Sequence, residues 1–319
     1  MTNNPSAGLP AVDVVIGTFN CVGDLRQCLK RIRAQDYPGK LELIVVDAGS
    51  TDGTLDVARQ FSARVYVNPG QALFGLQGAR NFGQAAGTSE FVWYIDSDNF
   101  IVEDSVARDL MQPFCEIPNL TISMPETIVD SSDTGLNRYL SLIEIQNVDR
   151  LKRQGRRIAN QWLIKDVSYG LTNAAIVRKS ALRDVGGFDT DVRLLERLRR
   201  AGLATGVVVS SAHFVHKQTT SVLGFRKKWL SKLRRGYATM DKNEARAYFV
   251  ESSLPEPAKR TLSRSLIANL FGGPIRSIGG LMQTGDPIWL YGLAHWSAWV
   301  SVLALHPRLS RNALSILLS

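Results

Sequence analysis

LELIVVDAGSTDGT (residues 41–54) opens on an apolar run and closes on small and polar residues. Leu41–Asp47 lacks the polar alternation of a half-exposed strand, so it reads as a strand covered on both faces. Asp47 marks its end. Gly49 permits a tight turn there, and Ser50, Thr51 or Asp52 is placed to cap a helix running through Phe61. A buried strand passing straight into a helix is the repeating unit of a parallel α/β sheet.

The unit recurs on either side. Upstream, DVVIGT (13–18) reads as a strand and DLRQCLKRIRAQ (24–35) as a helix, with Asp24 at its N-cap and Leu25, Cys28, Leu29 and Ile32 on one face. Downstream, ARVYV (63–67) precedes a loop and a helix around GARNFGQAAG (78–87). FVWYI (91–95) then ends in DSDN (96–99) before a helix over 104–115. Residues 137–160 read as a helix followed by the basic stretch LKRQGRR. Residues 169–189 give a short strand, a helix and a Gly-Gly turn; 191–202 is a helix stopped by Gly202, and VVVSS (207–211) is a strand. From about residue 222 the pattern is helical to the end, broken at Pro255, Pro257, Gly272-Gly273-Pro274 and Pro287. The expected fold is α/β, a mainly parallel sheet sandwiched by helices, over 1–222, with a helical extension over 223–319.

Composition agrees with a folded globular chain: 319 residues, 45% hydrophobic and 21% charged. Three cysteines, Cys21, Cys28 and Cys115, make neither a disulfide framework nor a thiolate metal site. MTNNPSAGLPAVD shows no secretory signal, so a reducing, cytoplasmic setting is expected. The net charge of +9 is segregated. Residues 1–222 hold 24 basic and 24 acidic residues, whereas 223–319 hold 14 and 5, which accounts for all of it. The extension therefore suits an anionic surface, either membrane or nucleic acid.

The chemistry-bearing residues fall just past the strand ends, at Thr18-Phe19-Asn20, at Asp47 and at Asp96-Ser97-Asp98, on the edge where open α/β sheets bind ligands. Two carboxylates on a tight turn suit a hard divalent cation, Mg²⁺ or Mn²⁺, which completes its shell with phosphate and water. Asp47 is placed to accept a hydrogen bond from a nucleobase imide. Arg80, at a helix start among small residues, suits a diphosphate or ribose.

Taken in order and spacing, VVIGTFN, VVDAGSTDGT, GARNFG, YIDSDN and VGGFD resemble the family 2 inverting glycosyltransferases of GT-A fold, across roughly residues 12–217. The resemblance implies that Thr18, Phe19, Asn20 and Asp47 hold the base and ribose of a UDP- or GDP-sugar. It likewise implies that Arg80 touches the nucleotide, Asp96 the ribose or metal, and Asp98 the metal. Residues 12–100 would bind the donor and 101–222 face the acceptor. A histidine after the 207–211 strand can complete the metal site in relatives, and His216 is chosen over His213; the neighbouring Lys217 is placed to steady a diphosphate. The sequence departs from the family in two places. Asp47-Ala48 stands where two aspartates are common, and Thr190-Asp191 where a Glu-Asp pair carries the catalytic base. Asp191 is thus the candidate base, with Asp189 second. A sugar-nucleotidyltransferase is the competing enzyme reading, but GTFNCVGD lacks the Gly-rich basic phosphate loop it needs. A degenerate, non-catalytic relative that binds nucleotide or membrane is the other alternative.

With a nucleotide-sugar signature upstream, the extension points to a membrane rather than nucleic acid. RKKWLSKLRRG (226–236) interleaves six basic residues with Trp229, Leu230 and Leu233. IWLYGLAHWSAWVSVLAL (288–305) carries no formal charge and places Trp289, Leu293, Trp296, Val300 and Leu303 on one stripe, favouring a peripheral anchor over a span. A peripheral enzyme of the inner membrane face follows. It would act on a glycan or polyprenyl-lipid acceptor in cell-envelope polysaccharide or glycolipid synthesis.

Overall fold

The computed structural model describes residues 8–67, 75–168, 173–187, 191–218, 221–225, 227, 274–275, 277–294, 296–297 and 300. Two compact units emerge, residues 1–128 with 144–216, and residues 129–143 with 217–319.

In the first unit the chain runs β1 (Val12–Thr18), α1 (Val22–Arg33), β2 (Leu41–Asp47), α2 (Thr54–Gln60), β3 (Arg64–Val67), α3 (Gly75–Ala86), β4 (Phe91–Tyr94), β5 (Asn99–Ile101), α4 (Val106–Glu116) and β6 (Ile122–Thr127). It continues with α5 (Gly135–Gln154), of which residues 144–154 belong to this unit, β7 (Arg156–Ile158), β8 (Gln161–Ile164), β9 (Ile176–Arg178), α6 (Lys179–Asp184), α7 (Asp191–Arg200) and β10 (Gly206–His216). The strands form one sheet in the order β3-β2-β1-β4-β9-β6-β10-β8-β7, with β5 on β10. Strands β3, β2, β1 and β4 are parallel neighbours, and β6 and β10 form a second parallel pair. Between them β9 runs antiparallel to both β4 and β6.

Period-two alternation sorts the apolar side chains into two cores. Val12, Val14, Ile16, Trp93 and Ile95 face α1, α2 and α4; Val15, Val92 and Tyr94 face α3, α5, α6 and α7. That is a helix–sheet–helix sandwich, as the unbroken apolar strands require. Helix α1 starts two residues before Asp24 because its cap comes from a neighbouring loop. Asp52 Oδ2 accepts from Val22 N at 3.1 Å, and Thr54 Oγ1 from Cys21 N at 3.0 Å. Gly202 ends α7 as expected, at φ 72°, with Leu203 N donating to Leu198 O at 2.7 Å.

One polar contact is wholly enclosed. Asp13, on the α3 side of β1, accepts from Ser89 N, Ser89 Oγ and Lys179 Nζ at 3.0, 2.9 and 2.9 Å. Lys179 Nζ also donates to Gln84 O and Gly87 O, the carbonyls at the C-terminal end of α3. A side chain at Gly87 would collide with Asp13, its Cβ lying 2.1 Å from Oδ2. Gly83 is similarly fixed, because a Cβ there would sit 2.4 Å from Val15 Cγ1 and hold α3 off the sheet.

The second unit packs Leu136, Tyr139, Leu140, Phe225, Ile288 and Trp289 into a small core. Trp289 does not lie on an exposed interfacial stripe. Gly280 leaves room beneath its indole and Tyr139 meets it edge-on at 6.0 Å, so it is buried. No described helix is long and apolar enough to cross a membrane. Leu303, Trp229 and the basic stretch other than Lys227 lie outside the described residues.

Lys179→Met should leave Asp13 as an uncompensated buried anion and cost about 3–5 kcal/mol in urea unfolding. Asp13→Asn combined with Lys179→Met, in which the amide still accepts from Ser89, should recover at least half of that loss. A single variant as stable as the parent would remove the pair from the fold's essential contacts.

Candidate functional site

Strands β1, β2 and β4 end on the same sheet edge, and their loops grip each other. Thr18 O accepts from Ala48 N at 2.9 Å. Asn20 sits at φ 47°, a conformation its short polar side chain tolerates, and its Oδ1 accepts from Thr51 N at 2.9 Å. Ser50 Oγ accepts from Asn20 N at 2.8 Å. Asp47 is the knot. Its Oδ1 accepts from Gly49 N and Ser50 N at 2.8 and 2.7 Å, and its Oδ2 from Ser50 Oγ and Thr18 Oγ1 at 2.6 and 2.8 Å. Those four bonds match the capacity of a carboxylate, and Asp47 and Thr18 are buried. Phe19 between them projects from the edge, 59% exposed.

Arg80 reaches this edge because Gly83, one turn later, seats α3 against Val15. Its Nη2 donates to both carboxylate oxygens of Asp96, at 2.9 and 3.1 Å, and the guanidinium is buried. The Asp96–Asn99 turn is closed by Asn99 N donating to Asp96 O at 2.9 Å, which projects Asp98 two residues beyond Asp96. Asp98 Oδ1 stands 3.7 Å from His216 Nε2, and His216 Nδ1 lies 2.7 Å from Glu144 Oε1. Thr127 Oγ1 donates to the other Glu144 oxygen at 3.3 Å. Burial works against a charged imidazole at His216. Glu144 outweighs it by charge and hydrogen bond, with help from Asp98 and Asp96, and lifts the pKa to about 9.

His213 and His216 both lie within β10, three residues apart, and the period of two sends them to opposite faces. His213 Nδ1 pairs with Glu103 Oε1 at 2.7 Å, away from Asp98, whereas His216 joins the strand-end cluster. Lys217, in the second unit, pairs with Asp130 at 3.2 Å. Asp191 is the first residue of α7, but its side chain, and all of Asp189, lie outside the described residues. Glu144 and Thr127 are site residues that sequence reasoning missed. The signal for Glu144 is a carboxylate on the helical face that later buries Val148 and Leu151.

The donor set fits a cation with few protein ligands. Glu144, bonded to Nδ1, orients Nε2 towards Asp98, the support a metal-binding histidine needs. The 3.7 Å separation exceeds a hydrogen bond but suits two donors each about 2.1 Å from one ion. Among the described residues no group of three or more His, Cys, Asp or Glu side chains is arranged to hold a metal by itself. A groove of about 430 Å³ lined by Arg33, Tyr37, Lys40 and Glu42 lies at the other end of β2 and includes none of these residues.

Residues 13–186, more than half of the 319, match glycosyl transferase family 2. The chain belongs to that family. This family 2 member is 27% identical over 206 residues to the glycosyltransferase AglE of Haloferax volcanii, covering 61% of this chain and 63% of that one. It is 31% identical over 201 residues to the pre-mycofactocin glycosyltransferase of Mycobacterium tuberculosis, covering 60% and 39%. The match thus spans less than two thirds of either relative. Among solved structures, the mannosyltransferase PcManGT of Pyrobaculum calidifontis, in complex with GDP-Man and Mn²⁺, superposes with a TM-score of 0.53 at 16% identity. That match covers 94% of this chain and 91% of PcManGT. The fold is GT-A, a central mixed sheet with helices and a helical C-terminal region.

Asp47→Ala should free the 48–53 loop by leaving Gly49 N, Ser50 N and two hydroxyls without their acceptor. The expected cost is about 1–3 kcal/mol, with amide exchange at Gly49 and Ser50 accelerated. Unchanged protection of those amides would deny Asp47 its role as the knot.

Proposed function

We propose that this chain is a metal-dependent inverting glycosyltransferase. It moves a sugar from a UDP- or GDP-sugar to a hydroxyl or lipid phosphate of a glycan or polyprenyl-lipid acceptor in cell-envelope polysaccharide or glycolipid synthesis; a phosphate, already ionised, would need no base. The observation that carries the reading is the convergence of the Arg80–Asp96 pair and the Asp98–His216–Glu144 chain on the ends of β1, β2 and β4. Thr18, Phe19, Asn20 and Asp47 form the donor side, where Phe19 offers a flat apolar surface to a base or ribose. Asp47 can accept from a nucleobase imide by exchanging one of its present donors. Arg80 and Asp96 orient the nucleotide.

In this mechanism the acceptor oxygen attacks the anomeric carbon as its proton passes to Asp191, kept ionised by the α7 dipole. The bond from that carbon to the diphosphate oxygen breaks on the opposite face, and its electron pair leaves with the nucleoside diphosphate. The configuration is thereby inverted. Mg²⁺ or Mn²⁺, held by Asp98 and His216, would offset the charge gathering on the departing diphosphate. Asp98→Ala, or excess chelator, should abolish donor turnover. Asp191→Asn should slow transfer about 10²-fold or more while donor binding survives. Full activity in chelator overturns the metal requirement, and an unchanged Asp191→Asn rate overturns its role as base.

We further place the protein at the inner face of the plasma membrane. Support comes from the excess of 14 basic over 5 acidic residues in 223–319 and from the exposed apolar side chains of the second unit. Leu223, Ile275, Ile278 and Met282 are among them, and Met282, one turn after Ile278, is 81% exposed. Vesicles containing anionic lipid should retain the protein at low salt and release it at high salt, because each basic residue near the surface contributes about 1 kcal/mol and is screened. Replacing Lys227, Lys228, Arg234 and Arg235 by Gln should weaken retention without changing turnover of a soluble acceptor. Failure of the unaltered protein to bind such vesicles would end the membrane assignment.

A further inference from the structure

Asn99 is 1% exposed, and among the described residues neither its Nδ2 nor its Oδ1 has a hydrogen-bond partner. Buried primary amides are nearly always paired, since an orphaned donor and acceptor together lose the hydration they had in the unfolded chain. A leucine of similar shape would fill the same volume without that penalty. The place of this unpaired amide is therefore informative. Asn99 closes the turn that carries Asp96 and Asp98, and it opens β5. In the antiparallel β5–β10 ladder its direct partner is His216. Directly opposed residues of such a ladder project from the same face, so the Asn99 amide and the His216 imidazole share a face. His216 Nε2 in turn faces Asp98 at 3.7 Å.

We propose that Asn99 is a positioning residue of the donor–metal site, its amide reserved for the oxygen shell of a cation held by Asp98 and His216. Such a shell has what the amide lacks. Water of that shell would donate to Oδ1, and a diphosphate oxygen would accept from Nδ2. The inference rests on the metal-dependent reading above and extends it to a residue that is neither ligand nor base.

The test compares the full chain with Asn99→Leu in two measurements that need no turnover. One is thermal unfolding without metal. The other is binding of Mn²⁺ in the presence of UDP or GDP, followed by the electron paramagnetic resonance signal of free Mn²⁺. The expected result is a melting temperature equal to or above the parent's, together with Mn²⁺–nucleotide binding weakened at least tenfold. Asn99→Ala should show the same loss of binding, and it serves as the second variant if leucine prevents folding. Parent-like Mn²⁺ affinity in either folded variant overturns the inference and leaves the metal reading standing. A large drop in melting temperature with affinity unchanged also overturns it, by making the amide purely structural. If the unaltered protein binds no Mn²⁺ with either nucleotide, the metal reading fails and this inference falls with it.

Discussion

The buried Asp13–Lys179 pair sits far from any reacting atom, yet the candidate site depends on it. Lys179 satisfies the last carbonyls of α3 while its charge is met by Asp13 on β1, so one ammonium fixes the end of a helix to the central strand. Gly83 and Gly87 let the helix come close enough for those bonds to form. Those bonds hold the C-terminal half of α3 against the sheet. Arg80 is consequently delivered to Asp96 with both carboxylate oxygens in reach. The enclosed charges carry a desolvation cost, and every polar atom of the pair is met in a fixed direction, which is the condition under which such a pair specifies geometry.

The strand-end edge contains two kinds of polar group. Around Asp47 the donors and acceptors are matched within the protein, and the loops after β1 and β2 are tied into one surface before any ligand arrives. Around Asp98 the spacing is looser. The 3.7 Å between Asp98 and His216 is too long for a hydrogen bond, and the Asn99 amide has no partner among the described residues.

How far the sequence disclosed this depends on how local each signal is. Strands β1, β2 and β4 were legible because burial on both faces leaves an apolar run, and the polar residues at their ends marked the edge. Strand β5, three residues long, carries no periodicity of its own and exists through its distant partner β10, and β7, equally short, is a local hairpin with β8 inside a stretch read as helix and basic tail. The start of α1 was misplaced for the same reason, since its cap is contributed by Asp52 rather than by Asp24. Of the two histidines, His216 is the one beside Asp98, and a strand read as ending at residue 211 does not show why the two diverge. Once β10 runs to His216, odd spacing alone separates the two side chains. Glu144 went unnoticed because an acid within a polar-rich helix looks solvated until its face is known to be covered.

Under the proposed mechanism, two protein ligands are too few to hold a hard cation alone, because most of its shell must come from water or phosphate. Metal and nucleotide would then bind interdependently, each supplying what the other lacks, and the coupling would be reciprocal. Glu144 would contribute by fixing the imidazole before the ion arrives, lowering the ordering cost of that late step. Departure follows the same logic in reverse. Once the sugar is transferred, the nucleoside diphosphate still carries the oxygens that complete the shell, so product and cation would leave as a unit. On that mechanism the strand-end turn would act as a seat for a metal–nucleotide complex rather than for a free ion.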